Sequence, residues 1–458
     1  MPSSQPKADR VGSRQYSSQR LLTLLDSLRR LLISRPQLRV VASNAAWLIL
    51  DRFVRLALAL TMGAWVARNL GPAQFGELSY AVSLIAFFQG IVNLGADGIA
   101  VRDIARDPTI APLILGTLLR LRLACGVACW GAAVALVHIL RPDDLSALVL
   151  VALIGASLVL QCAETVDLWF QSQYRNKNTV KAKLFAYLVA NCLRVVLLIN
   201  DAPLWTFALT AAIDTAALAA SLAFAYWRMP ASTVWLKNFE IAKSILRESW
   251  PFMISGLAAL LYMRIDQIMI RHLLGEVQLG IYAAAMPVSQ VWQVIPVTAS
   301  VALGPYIAKK KAEAHAAYTN ALAQAFRATA FFSLAVAASM TVAAPWVIAI
   351  LYGPAYIDSA PVLSVHVWSN IFIALGVIQG LWLVNEGLGR LMLYKTLLGA
   401  TVCIVGNWYV IPRYGLVGAA WVNVASQFVA AVGSNIIWSP QILKIQLQSF
   451  IFWRASKH

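Results

Sequence analysis

Charged side chains are scarce in this chain of 458 residues, because Asp, Glu, Lys and Arg together make up only 12% of it. Soluble proteins carry about 25% of these residues. A water-soluble chain with 60% hydrophobic residues would lack the polar surface needed to cover itself. The composition therefore excludes a soluble globular protein. We expect an all-α, polytopic membrane protein, in which helices satisfy every backbone polar group within the bilayer.

Reactive and metal-binding groups are also few. The five cysteines form no CxxC pair, so we expect apolar side chains rather than disulfides or a zinc site at Cys125, Cys129, Cys162, Cys192 and Cys403. No metal-ligand spacing relates His138, His272, His315 and His366. The chain has no P-loop, which excludes ATP hydrolysis by this chain, and no cluster of catalytic side chains. We expect no metal and no cofactor.

Long hydrophobic runs are abundant. A helix crosses the roughly 30 Å hydrocarbon core with about 20 residues. The sequence predicts twelve such spans in two six-helix lobes, 45–228 and 250–438, joined by a cytoplasmic linker, 229–249, and followed by a tail, 439–458. The spans are 45–67, 76–96, 119–140, 145–168, 182–200, 204–227, 250–270, 280–304, 326–351, 360–384, 391–411 and 415–438.

The first segment, 1–44, is basic and precedes every span. Its first twenty residues have the composition of a disordered chain. Leucines then recur on one face of a predicted helix that lies on the membrane surface: Leu21, Leu24, Leu25, Leu28, Leu31 and Leu32.

Basic residues mark one side of the predicted membrane topology. They concentrate in alternate connections between the spans, and Lys395 is counted among them. The predicted outer loops hold only Arg68, Arg141, Arg271 and Arg413. The basic side is cytoplasmic in such proteins, so both termini are predicted inside. Because topology explains most of the net charge of +17, we expect no nucleic-acid partner.

A glycine turn occurs twice, as RNLGPAQFGELSYA from Arg68 and as RHLLGEVQLGIYAA from Arg271. Each copy has two glycines five residues apart and ends one span before the next begins. The first glycine suits a left-handed helix cap. The period is six spans, so both halves enter the membrane in the same direction, and a pseudo-two-fold axis along the membrane normal should relate them.

Four arginines lie inside predicted spans: Arg52, Arg55, Arg194 and Arg264. Each would cost about 2.5–3.5 kcal/mol near the bilayer centre if it faced lipid. Arg52 and Arg55 share a helix face. Permanent, bidentate positive charge suits a phosphate ligand, so Arg52, Arg55 and Arg264 are candidate substrate-binding residues.

Ion pairing is the competing interpretation of the same arginines. Asp51 and Arg55 have the i,i+4 spacing of an intrahelical pair. Asp266 is the candidate partner of Arg264. Pairing with Asp214 is the favoured interpretation of Arg194. Glu164 and Asp167 lie near a span end, where interfacial water suffices to solvate them.

The order of several motifs resembles one transporter family. RNLGPAQFGELSYA followed by LGADGIAVRDIARDP, then MRIDQIMIRHLLGEVQLGIYAAA, LYGPAYIDSAPVLSVHVWSN and NEGLGRLMLYKTLLGATVCIVGNWYVIPRYGLVGAAWVNVAS, resemble the O-antigen-type, Wzx-like polysaccharide flippases of the MOP exporter superfamily. The resemblance covers about residues 40 to 440.

This resemblance implies an alternating-access transporter in the bacterial inner membrane, with a central cationic cavity that takes undecaprenyl-diphosphate-linked oligosaccharides for surface polysaccharide synthesis. Arg52, Arg55 and Arg264 would be its cavity positions. Coupling to a proton or sodium gradient or to the membrane potential would drive it, with Asp266 or Asp214 as the coupling carboxylate. A polysaccharide polymerase and chain-length proteins would be its partners.

Two other functions stay open at this point. A MATE-like, cation-coupled drug exporter would share the superfamily, although acidic rather than basic residues should line its cavity. A membrane-embedded polysaccharide polymerase or ligase would need a sizeable outer loop for its acceptor, and the predicted outer loops are short.

Overall fold

The computed structural model describes residues 36–173, 175–228 and 235–451, and the side chains of 36–53 are not among those described. The predicted surface helix at 21–32 and the end of the predicted tail, 452–458, lie outside the described residues. So do the side chains of Asp51 and Arg52, two of the predicted site residues.

Every regular element among the described residues is helical, which confirms the predicted all-α class. Short 3-10 turns and one π-helical turn, Val429–Gly433, connect several of the α-helices. The α-helices are, in chain order, α1 Pro36–Val92, α2 Asp97–Arg106, α3 Ala111–Leu140, α4 Leu145–Leu160, α5 Thr165–Ser172, α6 Asn176–Ile199, α7 Leu204–Trp227, α8 Phe239–Leu274, α9 Glu276–Gln290, α10 Val294–Glu313, α11 His315–Leu351, α12 Ser359–His366, α13 Ser369–Asn385, α14 Gly389–Phe428, α15 Asn435–Trp438 and α16 Pro440–Ile451.

The described part of the chain has nine helical segments long and apolar enough to cross a membrane, or ten if the bent pair Phe239–Leu260 and Tyr262–Leu274 forms one span. This confirms a multi-pass membrane protein. Val54–Arg106 and Gly389–Trp438, at 53 and 50 residues, are more than twice the length of one crossing. Each contains a glycine with non-helical backbone angles, Gly71 or Gly415. The count of twelve spans stays a prediction that these two breaks support.

The predicted glycine turns are present, with one correction. Gly71 has φ 72° and ψ 170°, and Gly275 has φ 94° and ψ 179°. The positive φ agrees with the predicted left-handed cap. Such a cap has ψ near +47°, however, and both glycines have an extended ψ instead. The combination of positive φ and extended ψ is open essentially to glycine alone. The next helix begins immediately, at Pro72 or Glu276, so a single residue must redirect the chain. We call the two segments of α1 on either side of Gly71 its first arm, 36–70, and second arm, 72–92.

Two predicted connections are partly helical. α8 begins at Phe239, inside the predicted linker, and the Asn238 side chain caps it by accepting from the backbone N–H of Glu240 at 2.8 Å and of Ile241 at 3.2 Å. An asparagine cap satisfies amide groups that lack partners in the first turn. The predicted tail contains α16, whose Ile442 is fully buried.

Buried apolar residues form three large clusters. One draws on the first half of the chain and on Ile245 of α8, and another draws on 307–442 and lies within the second half. The third, 64–420, joins α1, α4, α9, α12 and α14 and so lies between the halves. This third cluster forms an apolar seam between the halves, and the division into two lobes stays a prediction.

Candidate functional site

The two glycine turns pack directly against each other. A Cβ atom built on Gly76 would lie 1.9 Å from the carbonyl oxygen of Glu276, and one built on Gly280 would lie 1.9 Å from the carbonyl oxygen of Pro72. Each turn therefore presents the same two positions to its partner turn. Such reciprocal contact is the property of a two-fold axis, as the repeat predicts. We call this end of the helix bundle the turn end.

The arginine that opens the first repeat, Arg68, contacts the second half of the chain. Its Nη2 donates to the carbonyl oxygens of Ala349 at 3.3 Å and Ile350 at 2.6 Å, near the last residue of α11. The C-terminal carbonyls of a helix lack internal partners and carry partial negative charge. Nearby, the Tyr356 hydroxyl donates to the Ala67 carbonyl oxygen at 2.7 Å. Both contacts hold the halves together at the turn end.

The arginine that opens the second repeat, Arg271, contacts the first half of the chain. One guanidinium nitrogen lies 3.8 Å from a carboxylate oxygen of Asp144, in the connection before α4, and another lies 3.0 Å from Glu276. Arg68 and Arg271 thus occupy equivalent positions and reach across in opposite directions. The sequence places both in short outer loops and does not predict that they join the halves.

A cavity of about 360 Å³ lies between the halves, beyond the packed turns. The first arm of α1 contributes Leu56 to its walls and the second arm contributes Ser79. α8 contributes Arg264 and Gln267, and α9 contributes Gln290. We call it the central cavity. Arg264 is the charged side chain among its described walls. Each repeat supplies two helices, so this is the position at which the sequence analysis expects a transport cavity.

A second cavity, of about 220 Å³, lies within the first half and includes Tyr187, Arg194 and Thr210 in its walls. Arg194 Nε donates to Thr210 Oγ1 at 3.1 Å. The guanidinium carbon of Arg55 lies 5.1 Å from the centre of the Tyr187 ring, and the Tyr187 hydroxyl donates to the Arg55 carbonyl oxygen at 3.2 Å. Cation–π contact of this kind stabilises a guanidinium group. Arg194 therefore lines this cavity, and Arg55 contacts Tyr187, one of its wall residues.

Two predicted ion pairs are not formed among the described residues. No salt bridge within 4 Å joins Arg264 to Asp266 or Arg194 to Asp214. Asp266 is 1% exposed, and it instead accepts hydrogen bonds from the Tyr282 hydroxyl at 2.6 Å and from the backbone N–H of Gln267 at 2.8 Å. Residues two apart on a helix do not face each other, which explains why Asp266 turns away from Arg264.

One of the two carboxylates assigned to the solvated membrane interface is buried instead. Asp167 is 5% exposed and forms a 2.5 Å ion pair with Lys183. Arg122 is 2% exposed and pairs with Asp97. Interfacial solvation is therefore the wrong explanation for Asp167. Pairing, which desolvated charges require, is the correct one.

The halves also meet at the end opposite the turn end. Arg102 of α2 forms two hydrogen bonds with the Glu248 carboxylate of α8, at 2.7 and 3.1 Å. These bonds hold the pKa of Glu248 below its ordinary value. The Arg102–Glu248 pair is exposed to solvent, unlike the contacts around the central cavity.

Lys395 is a buried cation that the pattern of basic residues does not predict. Lys395 was counted with the cytoplasmic connections, yet it is 4% exposed and donates to Asn435 Oδ1. The available signal was its position four residues inside the predicted span 391–411. In the described residues no group of three or more His, Cys, Asp or Glu side chains could hold a metal ion.

The fold matches those of solved membrane transporters. The lipid II flippase MurJ in an inward closed conformation gives a TM-score of 0.71 at 10% identity, covering 88% of this chain and 90% of MurJ. An inward-facing multidrug resistance MATE family transporter of the MOP superfamily gives 0.68 at 19% identity, covering 88% and 99%. A MOP superfamily transporter from Pyrococcus furiosus, described as having a binding pocket of reverse polarity, gives 0.62 at 18% identity, covering 88% and 96%.

Sequence comparison gives the family. A search of curated protein sequences found no match. Residues 41–311, more than half of the chain, match the family described as Polysaccharide biosynthesis protein. The solved structures that share this fold are described as a flippase and a multidrug resistance transporter. Because of this family match, which agrees with the sequence motifs and with the helical fold, the chain belongs to the polysaccharide biosynthesis protein family.

Proposed function

We infer that this protein is a flippase that moves undecaprenyl-diphosphate-linked oligosaccharides across the bacterial inner membrane by alternating access. The observation that carries the proposal is the central cavity, in which the charged wall residue is Arg264. The family match links the chain to polysaccharide synthesis. Its fold is shared with a protein described as a lipid II flippase. Both termini would be cytoplasmic, and a surface-polysaccharide polymerase and chain-length proteins would be the partners.

The diphosphate is the part of the substrate that this site would recognise. A guanidinium group offers a fixed fork of donors and keeps its charge at every physiological pH. Arg264 would bind the diphosphate from the second half of the chain, with Arg55 and Arg52 approaching from the first arm of α1. The apolar polyprenyl tail would remain in lipid, because its transfer into water is unfavourable.

Closure of the turn end supports alternating access. The Gly76–Gly280 contact, Arg68 and Arg271 join the halves on one side of the central cavity. Transport would require these contacts to separate while the opposite end closes. Asp266, and Asp214 as the alternative, would be the carboxylate that couples this change to a proton or sodium gradient.

Reconstitution into liposomes with a fluorescent polyprenyl-diphosphate oligosaccharide tests the proposal. A hydrogen bond to a charged group contributes about 1.5–3 kcal/mol, so we expect Arg264→Ala to slow translocation at least tenfold. Arg264→Lys should restore only part of the rate. Arg390→Ala, at an exposed position, is the matched control and should transport normally. Equal rates for Arg264→Ala and the unmodified protein would show that the site is assigned wrongly.

A further inference from the structure

A third cavity, of about 360 Å³, lies within the second half of the chain between α8, α13 and α14. We call it the Lys395 cavity. Its volume falls in the range of roughly 300–1,000 Å³ typical of ligand pockets. Its walls combine one cation, two aromatic rings and three amides: Lys395, Tyr262, Phe372, Gln293, Gln379 and Gln427.

Lys395 has more hydrogen-bond donors than the protein satisfies. Its ammonium group carries three donors. In the described structure it donates to Asn435 Oδ1 and, in the amide orientation of Gln379 that satisfies both of its polar groups, to the Gln379 side-chain oxygen. The Gln379 side-chain nitrogen then donates to Ala431 O at 2.7 Å, and the Asn435 nitrogen donates to Gln446 Oε1 at 2.9 Å. One Lys395 donor is thus left for an occupant of the cavity.

The charge of Lys395 is not compensated by the protein. Among the described residues, no Asp or Glu carboxylate lies within 4 Å of its ammonium group. The side chain is 4% exposed, so water at the surface does not solvate it. A buried charge without a partner is strongly unfavourable. An anionic group bound in the cavity would supply both the countercharge and the missing acceptor.

The other walls indicate what carries the anionic group. Gln427 and the side-chain oxygen of Gln293, whose Nε2 donates to Asn370 Oδ1 at 3.0 Å, offer amide groups that match hydroxyl groups, and the Tyr262 and Phe372 rings add apolar surface. An acidic sugar carries both hydroxyl groups and an anionic group. We propose that the Lys395 cavity binds an acidic sugar, with the sugar carboxylate on Lys395 and its hydroxyls on the glutamines.

The position of the cavity fits one substrate that reaches both sites. Met263 borders the Lys395 cavity, and the next residue, Arg264, borders the central cavity. Gln290 and Gln293 likewise line the two cavities from adjacent turns. The assignment of the acidic sugar to the transported glycan therefore rests on the proposed function. The diphosphate would lie at Arg264, and an acidic residue of the glycan would lie at Lys395.

Binding to the purified full-length protein tests the cavity without transport. Isothermal titration with sodium glucuronate, with glucose and with sodium chloride should show binding of glucuronate at least tenfold tighter than of glucose. Lys395→Met should remove that preference, while Lys395→Arg keeps it in part. Lys444→Met, at an exposed lysine, is the control. Equal binding of glucuronate and glucose, an unchanged preference in Lys395→Met, or a chloride affinity equal to that of glucuronate would overturn the proposal.

Transport separates this inference from the proposed function. With lipid-linked glycans that differ only in one neutral or acidic sugar, Lys395→Met should slow the acidic substrate several-fold more than the neutral one. Arg264→Ala should slow both alike. Absence of all transport by the unmodified protein would refute the flippase proposal, and the glucuronate titration would still decide the Lys395 cavity. Equal slowing of both substrates by Lys395→Met would overturn the acidic-sugar assignment.

Discussion

The two repeated turns share a backbone and differ in their side-chain partners. At both turns a glycine with positive φ ends one helix, and a second glycine five residues later packs on a carbonyl oxygen of the other turn. Arg68 then binds carbonyl oxygens at a helix end, whereas Arg271 binds carboxylates. The shared part is fixed by steric contact of backbone atoms, which allows no larger residue. The arginines need only an acceptor, so their partners could diverge.

The largest effect is expected where the two turns are identical. Gly76→Ala or Gly280→Ala would place a Cβ atom 1.9 Å from a backbone carbonyl oxygen, which no side-chain rotation relieves. Overpacking of this kind costs about 1–3 kcal/mol or more. We expect each variant to lower the melting temperature in detergent, by similar amounts. Gly131→Ala, where nothing lies within 4 Å, is the matched control and should be neutral or stabilising.

Labelling distinguishes opening of the turn end from unfolding in these variants. Ser79 lines the central cavity and can be replaced by cysteine in a background without the five native cysteines. A membrane-impermeant maleimide added from the turn side should label Ser79→Cys slowly in the parent and faster with Gly76→Ala. If Gly76→Ala melts and labels like its parent, the contact between the turns does not close the bundle.

A smaller effect is expected where the two turns differ. Arg68→Ala removes hydrogen bonds worth about 1 kcal/mol at an exposed position. Asp144→Asn removes one partly exposed ion pair between the halves, with Arg271, worth roughly 0.2–1 kcal/mol, and one within the first half, with Arg141. It leaves Arg271 bound to Glu276. Asparagine also keeps the cap that Asp144 provides to Ala147. Labelling of Ser79→Cys from the turn side should therefore rise more in Arg68→Ala than in Asp144→Asn.

Labelling at high salt tests the ranking of Arg68→Ala above Asp144→Asn. The Debye length falls to about 3 Å at 1 M ionic strength, so high salt should reduce the difference between Asp144→Asn and its parent. A difference that grows with salt, or labelling that rises more in Asp144→Asn than in Arg68→Ala, would show that the Arg271 side holds the halves together more strongly.

The turns could be predicted because their signals are local. A glycine, a proline and a five-residue spacing decide the backbone there, and the structure differs only in ψ. The acceptors of Arg68 are backbone oxygens about 280 residues away in the chain, and no residue type announces them. Contacts of this kind emerge only once the helices are packed together.

The candidate site was predicted in part for related reasons. Hydropathy located Arg264 inside a span, and the repeat located the cavity between the halves, where Arg264 lies. The candidate pair of Arg264 with Asp266 does not form within 4 Å, because residues two apart on a helix do not face each other. Lys395 was missed because a lysine near the end of a span looks like a topology signal, and its burial depends on α15 and α16 packing over it.

The smallest effect is expected at the opposite end, where an exposed pair joins the halves. Hydrogen bonds from Arg102 lower the pKa of Glu248, so this pair contributes its full stabilisation above the ordinary glutamate pKa of about 4.3. The contribution is lost as pH falls through the lowered pKa. Glu248→Gln should therefore melt slightly below the unmodified protein at pH 7, and the two melting temperatures should converge in strongly acidic buffer. A difference that stays constant down to that pH would mean that Glu248 acts through packing and not through its charge.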